Sequence, residues 1–177
     1  MDVIHRYSQT NSYTQSDEFS IDSALKIAQE AAYVGGEIVR QRFGKISSVS
    51  WKRGIEIQTA VDVESEQAIT TFIKDRFSEH SILGEELGMR HGRSPYTWII
   101  DPLDGTNNFV LDIPQFAVCV SLKKYDDILL TVIHQPISGI TYTALKGKGA
   151  CLNNEPIYLQ EREVPQCKST ICSILSY

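Results

Sequence analysis

After Phe109 the chain delivers strand-length apolar runs in quick succession: Ala117 to Leu122, Ile128 to His134, Ile140 to Ala144 and Ala150 to Leu152. The links are turn residues only, Asp126-Asp127, Gln135-Pro136-Ile137-Ser138-Gly139 and, after the last run, Asn153-Asn154. A parallel pair needs a crossover of about a dozen residues or more. These links are too short for that, so the runs predict an antiparallel meander.

Helical signals precede the meander. Ala24, Leu25, Ile27, Ala28, Ala31, Val34, Ile38, Val39 and Phe43 recur at helical spacing, with Ser20 or Asp22 as N-cap and Gly44 as C-terminal cap. Gly35-Gly36 inside this helix costs about 1 kcal/mol per residue against Ala, which a close packing contact there would explain. Ile46 to Trp51 and Ile55 to Thr59 read as a hairpin across Lys52-Arg53-Gly54. A second helix is expected to start near Asp62, with Ala68, Ile69, Phe72, Ile73 and Phe77 as its apolar face and acids in its first turns, where the dipole favours them. Ser81 to Gly84 and Tyr96 to Ile100 read as short strands separated by a polar loop, Met89 to Ser94. The fold class implied is α+β, two helices packed on a largely antiparallel sheet. Residues 1–18 are polar and aperiodic and read as a disordered extension. Residues 19–165 form the α+β domain. Residues 166–177 read as the start of a further region, because Ser169 to Tyr177 is β-prone and ends without turn or cap.

Composition narrows the function. A net charge of −5 argues against general nucleic-acid binding, which calls for a basic surface. It leaves anionic substrates open, since a metal ion supplies positive charge locally. No apolar run approaches membrane-span length, and the N-terminus has no apolar signal region. The four cysteines, Cys119, Cys151, Cys167 and Cys172, match no zinc spacing. A soluble, reducing, cytoplasmic setting is the simplest reading. His91, His134 and Cys119 carry no assignable chemistry, and His134 reads as a strand-end residue rather than a ligand.

Three acidic segments stand out: Thr59-Ala60-Val61-Asp62, Gly84-Glu85-Glu86, and Trp98-Ile99-Ile100-Asp101-Pro102-Leu103-Asp104-Gly105-Thr106 continuing to Phe109. In the third, an apolar strand ends on Asp101, Pro102 halts the ladder, and Asp104 returns a second carboxylate. Gly105 allows close backbone approach, and Thr106 brings a hydroxyl beside turn N–H groups. That places two hard-oxygen ligands beside an anion-binding turn. Magnesium prefers such oxygens and commonly shares its coordination with substrate phosphate, while turn N–H groups suit phosphate. Each segment alone also has an ordinary reading, a connecting turn or a solvated acidic face.

Taken together, the three segments in this order resemble the inositol monophosphatase family of magnesium-dependent, lithium-sensitive phosphatases. Gly147-Lys148-Gly149-Ala150 followed by Asn153 is a further similar stretch, and the resemblance runs over about residues 20 to 177. It implies a sugar-phosphatase-like N-terminal layer and two or more Mg2+ ions. By position, Glu85, Asp101 and the Leu103 carbonyl would hold a first magnesium. Asp101 would bridge to a second, also held by Asp104. Gly105 and Thr106 would bind phosphate through backbone N–H groups. Thr106, Asp62 and Glu85 would position the attacking water. Glu86 would stand behind these groups, and Lys52 falls at the family's mobile-loop lysine.

The substrate implied is a small phosphorylated polyol or sugar such as inositol 1-phosphate, and the resemblance allows a homodimer. A relative acting on a nucleotide 3′-phosphate or on fructose bisphosphate is a same-class alternative. The sequence departs from the family in one respect: no Trp-Asp-x-Ala-Ala-Gly-like motif occurs, and neither Trp51 nor Trp98 is followed by Asp. The family's second α/β region, which completes the second metal site and selects the substrate, is therefore expected to be absent through C-terminal truncation. Self-association, poor solubility and low turnover would then follow from an uncovered strand. The alternative of a different class is a truncated, catalytically impaired family member acting as a binding or regulatory module.

Overall fold

The computed structural model describes residues 20–45, 50–52 and 56–158. The long helix α1 covers Ile21–Arg42, and a two-stranded antiparallel hairpin follows, β1 (Ser50–Lys52) and β2 (Glu56–Gln58). Helix α2 spans Ala60–Lys74. The main sheet is built from β3 (Ser81–Gly84), β4 (Gly88–Arg90), β5 (Tyr96–Asp104), β6 (Ala117–Lys124), β7 (Asp127–Gln135), β8 (Ile140–Leu145), β9 (Gly149–Leu152) and β10 (Glu155–Ile157). A five-residue helix α3, Thr106–Val110, follows β5. The strand order is β10-β9-β8-β7-β6-β5-β3-β4. From β5 to β10 every neighbour is antiparallel, which is the expected meander.

The helices lie on one face of this sheet. Alternation along β6 sends Val118, Val120 and Leu122 into the core, where they meet Ala24, Ala28, Ala31 and Val39 of α1 and Ile69 and Ile73 of α2. The diglycine in α1 marks the close approach its cost implied. A Cβ on Gly35 would sit 2.5 Å from Ile69 Cδ1, and one on Gly36 would sit 2.7 Å from His134 Cδ2. His134, next to last in β7, is buried, its Nδ1 2.9 Å from Thr141 Oγ1.

Several expectations are corrected. Ser20 stands at the N-cap of α1, but its side chain makes no capping bond. Helix α2 begins at Ala60 on a Thr59 cap, slightly before Asp62, and Phe77 lies beyond its last turn. The polar stretch after Gly88 is not all loop: Gly88–Arg90 pairs antiparallel with β3, forming the sheet's edge. Because β4 lies outside β3, the chain returns to pair β5 parallel to β3, so the sheet is mixed. Pro102 does not end β5; it interrupts its pairing. The expected extension over 1–18 and the segment Ser169 to Tyr177 lie outside the described residues. Among the described residues no helix is long and apolar enough to cross a membrane.

Candidate functional site

Helix α2 brings the first acidic segment to the site through its own cap. The Thr59 hydroxyl accepts from the Val61 N–H at 3.1 Å, and Asp62 Oδ2 accepts from the Thr59 N–H at 2.9 Å and its hydroxyl at 2.6 Å. Such a reciprocal box satisfies orphan donors of the first turn. Asp62 is 2% exposed, and burial pushes its carboxyl up despite the bonds from Thr59. Its other oxygen, Oδ1, faces the Thr106 hydroxyl at 3.2 Å.

Glu85 and Glu86 leave the end of β3. The Glu85 N–H donates to the Ile100 carbonyl at 3.1 Å, carrying the parallel pairing one residue past the strand. The Glu86 and Leu87 N–H groups donate to the two carboxylate oxygens of Glu66, at 2.7 and 3.0 Å. Gln58 donates from its side-chain amide to Glu86.

The third segment is shaped by a bulge. Asp101 opposes Cys119 on β6, whereas Asp104 opposes Ala117, so Pro102 and Leu103 stand against Val118 alone. An extra residue of this kind bends the strand and re-aims its side chains. Asp101 Oδ1 accepts from the Leu103 N–H at 3.2 Å, and Ser65 of α2 donates to the Pro102 carbonyl at 3.3 Å. The Leu103 carbonyl is 3.0 Å from the Thr106 hydroxyl. Gly105 turns the chain with φ +93°, and a Cβ there would meet the Gln115 carbonyl at 3.1 Å. Only glycine takes that conformation without strain.

Charge ties the segments together. Burial first, then Glu85 and Asp104, push the Asp101 carboxyl up to about 7. The Cys119 thiol is pushed up to about 12 by burial and by the same three carboxylates. Carboxylates this mutually repulsive are relieved by protonation or by a cation. Among the described residues no group of three or more His, Cys, Asp or Glu side chains is drawn together closely enough to hold a metal ion. The donor atoms are all oxygens, the type magnesium takes, and magnesium ordinarily fills much of its shell with water and phosphate oxygens rather than protein ones.

The family model for the inositol monophosphatase family matches residues 20–177. The chain belongs to this family. Among curated relatives of this inositol monophosphatase family chain, an inositol monophosphatase 3 of Solanum lycopersicum is 37% identical over 142 residues, covering 78% of this chain and 53% of that protein. A fructose-1,6-bisphosphatase/inositol-1-monophosphatase of Aquifex aeolicus is 35% identical over 141 residues with the same coverage. The chain thus spans about half the length of the curated relatives it matches. Among solved structures, the extragenic suppressor protein suhB of Bartonella henselae is similar with a TM-score of 0.76 and 29% identity, covering 79% of this chain and 55% of that one. An inositol monophosphatase from Anabaena gives a TM-score of 0.69 at 31% identity, covering 80% and 51%.

Within this family framework, the structure gathers most of the residues singled out from sequence. Asp62, Leu103 and Thr106 are joined by hydrogen bonds. Glu85 and Asp104 both raise the Asp101 carboxyl electrostatically. Gly105 caps α3, and Glu86 is held by Gln58 and Glu66. Lys52 is placed by its backbone only, paired with Glu56 in the hairpin. Sequence reading missed Glu66, whose signal was its place one helical turn after Asp62 on the same face. Cys119 stands opposite Asp101, a placement that depends on strand register.

Proposed function

We propose that the site hydrolyses phosphate monoesters in a magnesium-dependent manner, with a small polyol or sugar phosphate such as inositol 1-phosphate as substrate and a cytoplasmic setting. The observation that carries this is the meeting of three distant acidic segments. Thr106 touches Asp62 across forty-four positions, beside the mutually repelling Glu85, Asp101 and Asp104. Phosphate monoesters are anionic and exceptionally slow to hydrolyse, so neutralising charge is the main task.

Glu85, Asp101, Asp104 and the Leu103 carbonyl would hold two or more Mg2+ ions. When bound, these ions neutralise phosphate charge and make water a stronger nucleophile. Thr106, Asp62 and Glu85 would position the attacking water, with the Thr106 hydroxyl held by Asp62 Oδ1. The backbone of Gly105 and Thr106 orients the phosphate. Glu86 supports the turn that carries Glu85, and Lys52 is assigned an accessory role from the resemblance alone, as the lysine at the family's mobile-loop position.

The test is phosphate release from inositol 1-phosphate, fructose 1,6-bisphosphate and a nucleotide 3′-phosphate with magnesium. Turnover that Asp101→Asn abolishes supports the reading. Turnover that survives this substitution overturns the assigned site. Thr106→Ala should lower the rate and leave metal affinity nearly intact, because a water-orienting group acts in the transition state. A second reading, a binding module, rests on relatives called Nus factor SuhB, one of them 34% identical in Pseudomonas aeruginosa. It predicts metal binding without turnover on any of the three substrates.

A further inference from the structure

Glu66 is a carboxylate with 1% exposure in the middle of an amphipathic helix, where a charge is costly unless fully bonded. Its bonds go to one place. Oε2 accepts from the Glu86 N–H and Oε1 from the Leu87 N–H, across the turn that follows Glu85. The fit is tight enough to dictate another residue. A Cβ on Gly84 would lie 1.8 Å from Glu66 Oε1, so only glycine leaves room for this carboxylate. The same helix supplies Asp62, one turn earlier, and Ser65, which donates to the Pro102 carbonyl inside the bulge.

We propose that Glu66 is a positioning residue that clamps the Glu85-Glu86 turn against α2 and thereby sets the site's affinity for a divalent cation without touching it. This deepens the metal-dependent reading above and rests on it. The clamp fixes where the Glu85 backbone leaves β3, hence where its carboxylate stands relative to Asp101. Groups that orient ligands from behind typically change metal affinity by about 10–100-fold.

The experiment is calorimetric titration of the full chain with Mn2+, on wild type, Asp101→Asn, Glu66→Gln, Gly84→Ala and Ile73→Val. Glu66→Gln keeps the volume but replaces one acceptor with an NH2 that opposes an N–H. Gly84→Ala leaves Glu66 in the chain and displaces its carboxylate. Both should weaken binding by roughly tenfold. Ile73→Val loosens the same helix away from the turn and should bind like wild type, which a general loss of stability would not allow. Binding unchanged in Glu66→Gln, or in Gly84→Ala should Glu66→Gln not fold, while Asp101→Asn loses it, overturns the clamp and leaves the metal site standing. No binding by wild type overturns the metal reading itself.

Discussion

Strand β5 passes through two different environments. Up to Ile100 it is paired in unbroken register with β6, and Trp98 and Ile100 are 0% and 1% exposed beneath the helices. Trp98 packs near Phe77 and His80, and its indole N–H donates to His80 Nδ1 at 3.1 Å. After Asp101 the register breaks, and although Leu103 still reaches the core, Asp101 and Asp104 bring carboxylates beside Glu85 and Cys119. The first half gathers groups that attract one another or expel water. The second gathers groups that repel. A folded chain tolerates such a repulsive cluster when the rest of the core supports it, and functional sites are where local rules are broken in this way. The two halves should therefore respond oppositely to substitution.

Trp98→Ala should cause the largest change, a loss of about 3–5 kcal/mol typical of a fully buried aromatic, read by urea unfolding. A loss below about 1 kcal/mol, the size of an ordinary surface effect, would show that the first half is not the stable partner.

Next comes the pH response of His80, which lies between Phe77 and Tyr96 at ring centroid distances of 4.7 and 4.9 Å. Burial, then the Lys74 charge, lowers its pKa from 6.5 to about 4. The unfolded chain binds the proton first. The contribution is thus fully present above the unfolded value and is lost as pH falls from there through the folded value. The span is worth up to about 3 kcal/mol. His80→Gln keeps an acceptor for Trp98 and should flatten the unfolding slope across that window. An identical slope in both proteins would remove His80 from the account.

Asp101→Asn should act in the opposite direction. Without metal it removes a repelling charge and should raise stability by about 1–2 kcal/mol, as replacement of poorly compensated buried charge can. Destabilisation of the metal-free protein would mean that the cluster is held by attraction. The smallest effect is expected at the exposed Arg42–Glu64 pair, 2.9 Å apart on side chains about half exposed. Arg42→Ala should cost at most about 1 kcal/mol, and a larger loss would place stability outside the β5 core.

The two halves were also unequally legible. Helix α1 and strands β6 to β8 show their periods plainly, because one face of each meets the core and the other does not. The diglycine announced a close approach, and Ile69 and His134 supply it. Strand β4 and the parallel pairing of β3 with β5 were hidden. Three polar-flanked residues carry no period, and pairing direction depends on where β4 lies. At the site, Asp62, Glu85, Asp101, Asp104 and Thr106 were readable through motif order. Glu66 was not, because a glutamate on a helix reads as solvated until the turn it binds is folded beside it.

The most direct measurement of the central claim is thermal unfolding of the full chain with and without millimolar Mg2+, for wild type and Asp101→Asn. A cation that binds the folded state alone raises stability by mass action, about 2.7 kcal/mol at a hundredfold excess over its dissociation constant. The account predicts a clear rise in Tm for wild type and almost none for Asp101→Asn. No rise in wild type, or an equal rise in both proteins, would contradict the claim that these three acidic segments form one cation-dependent site.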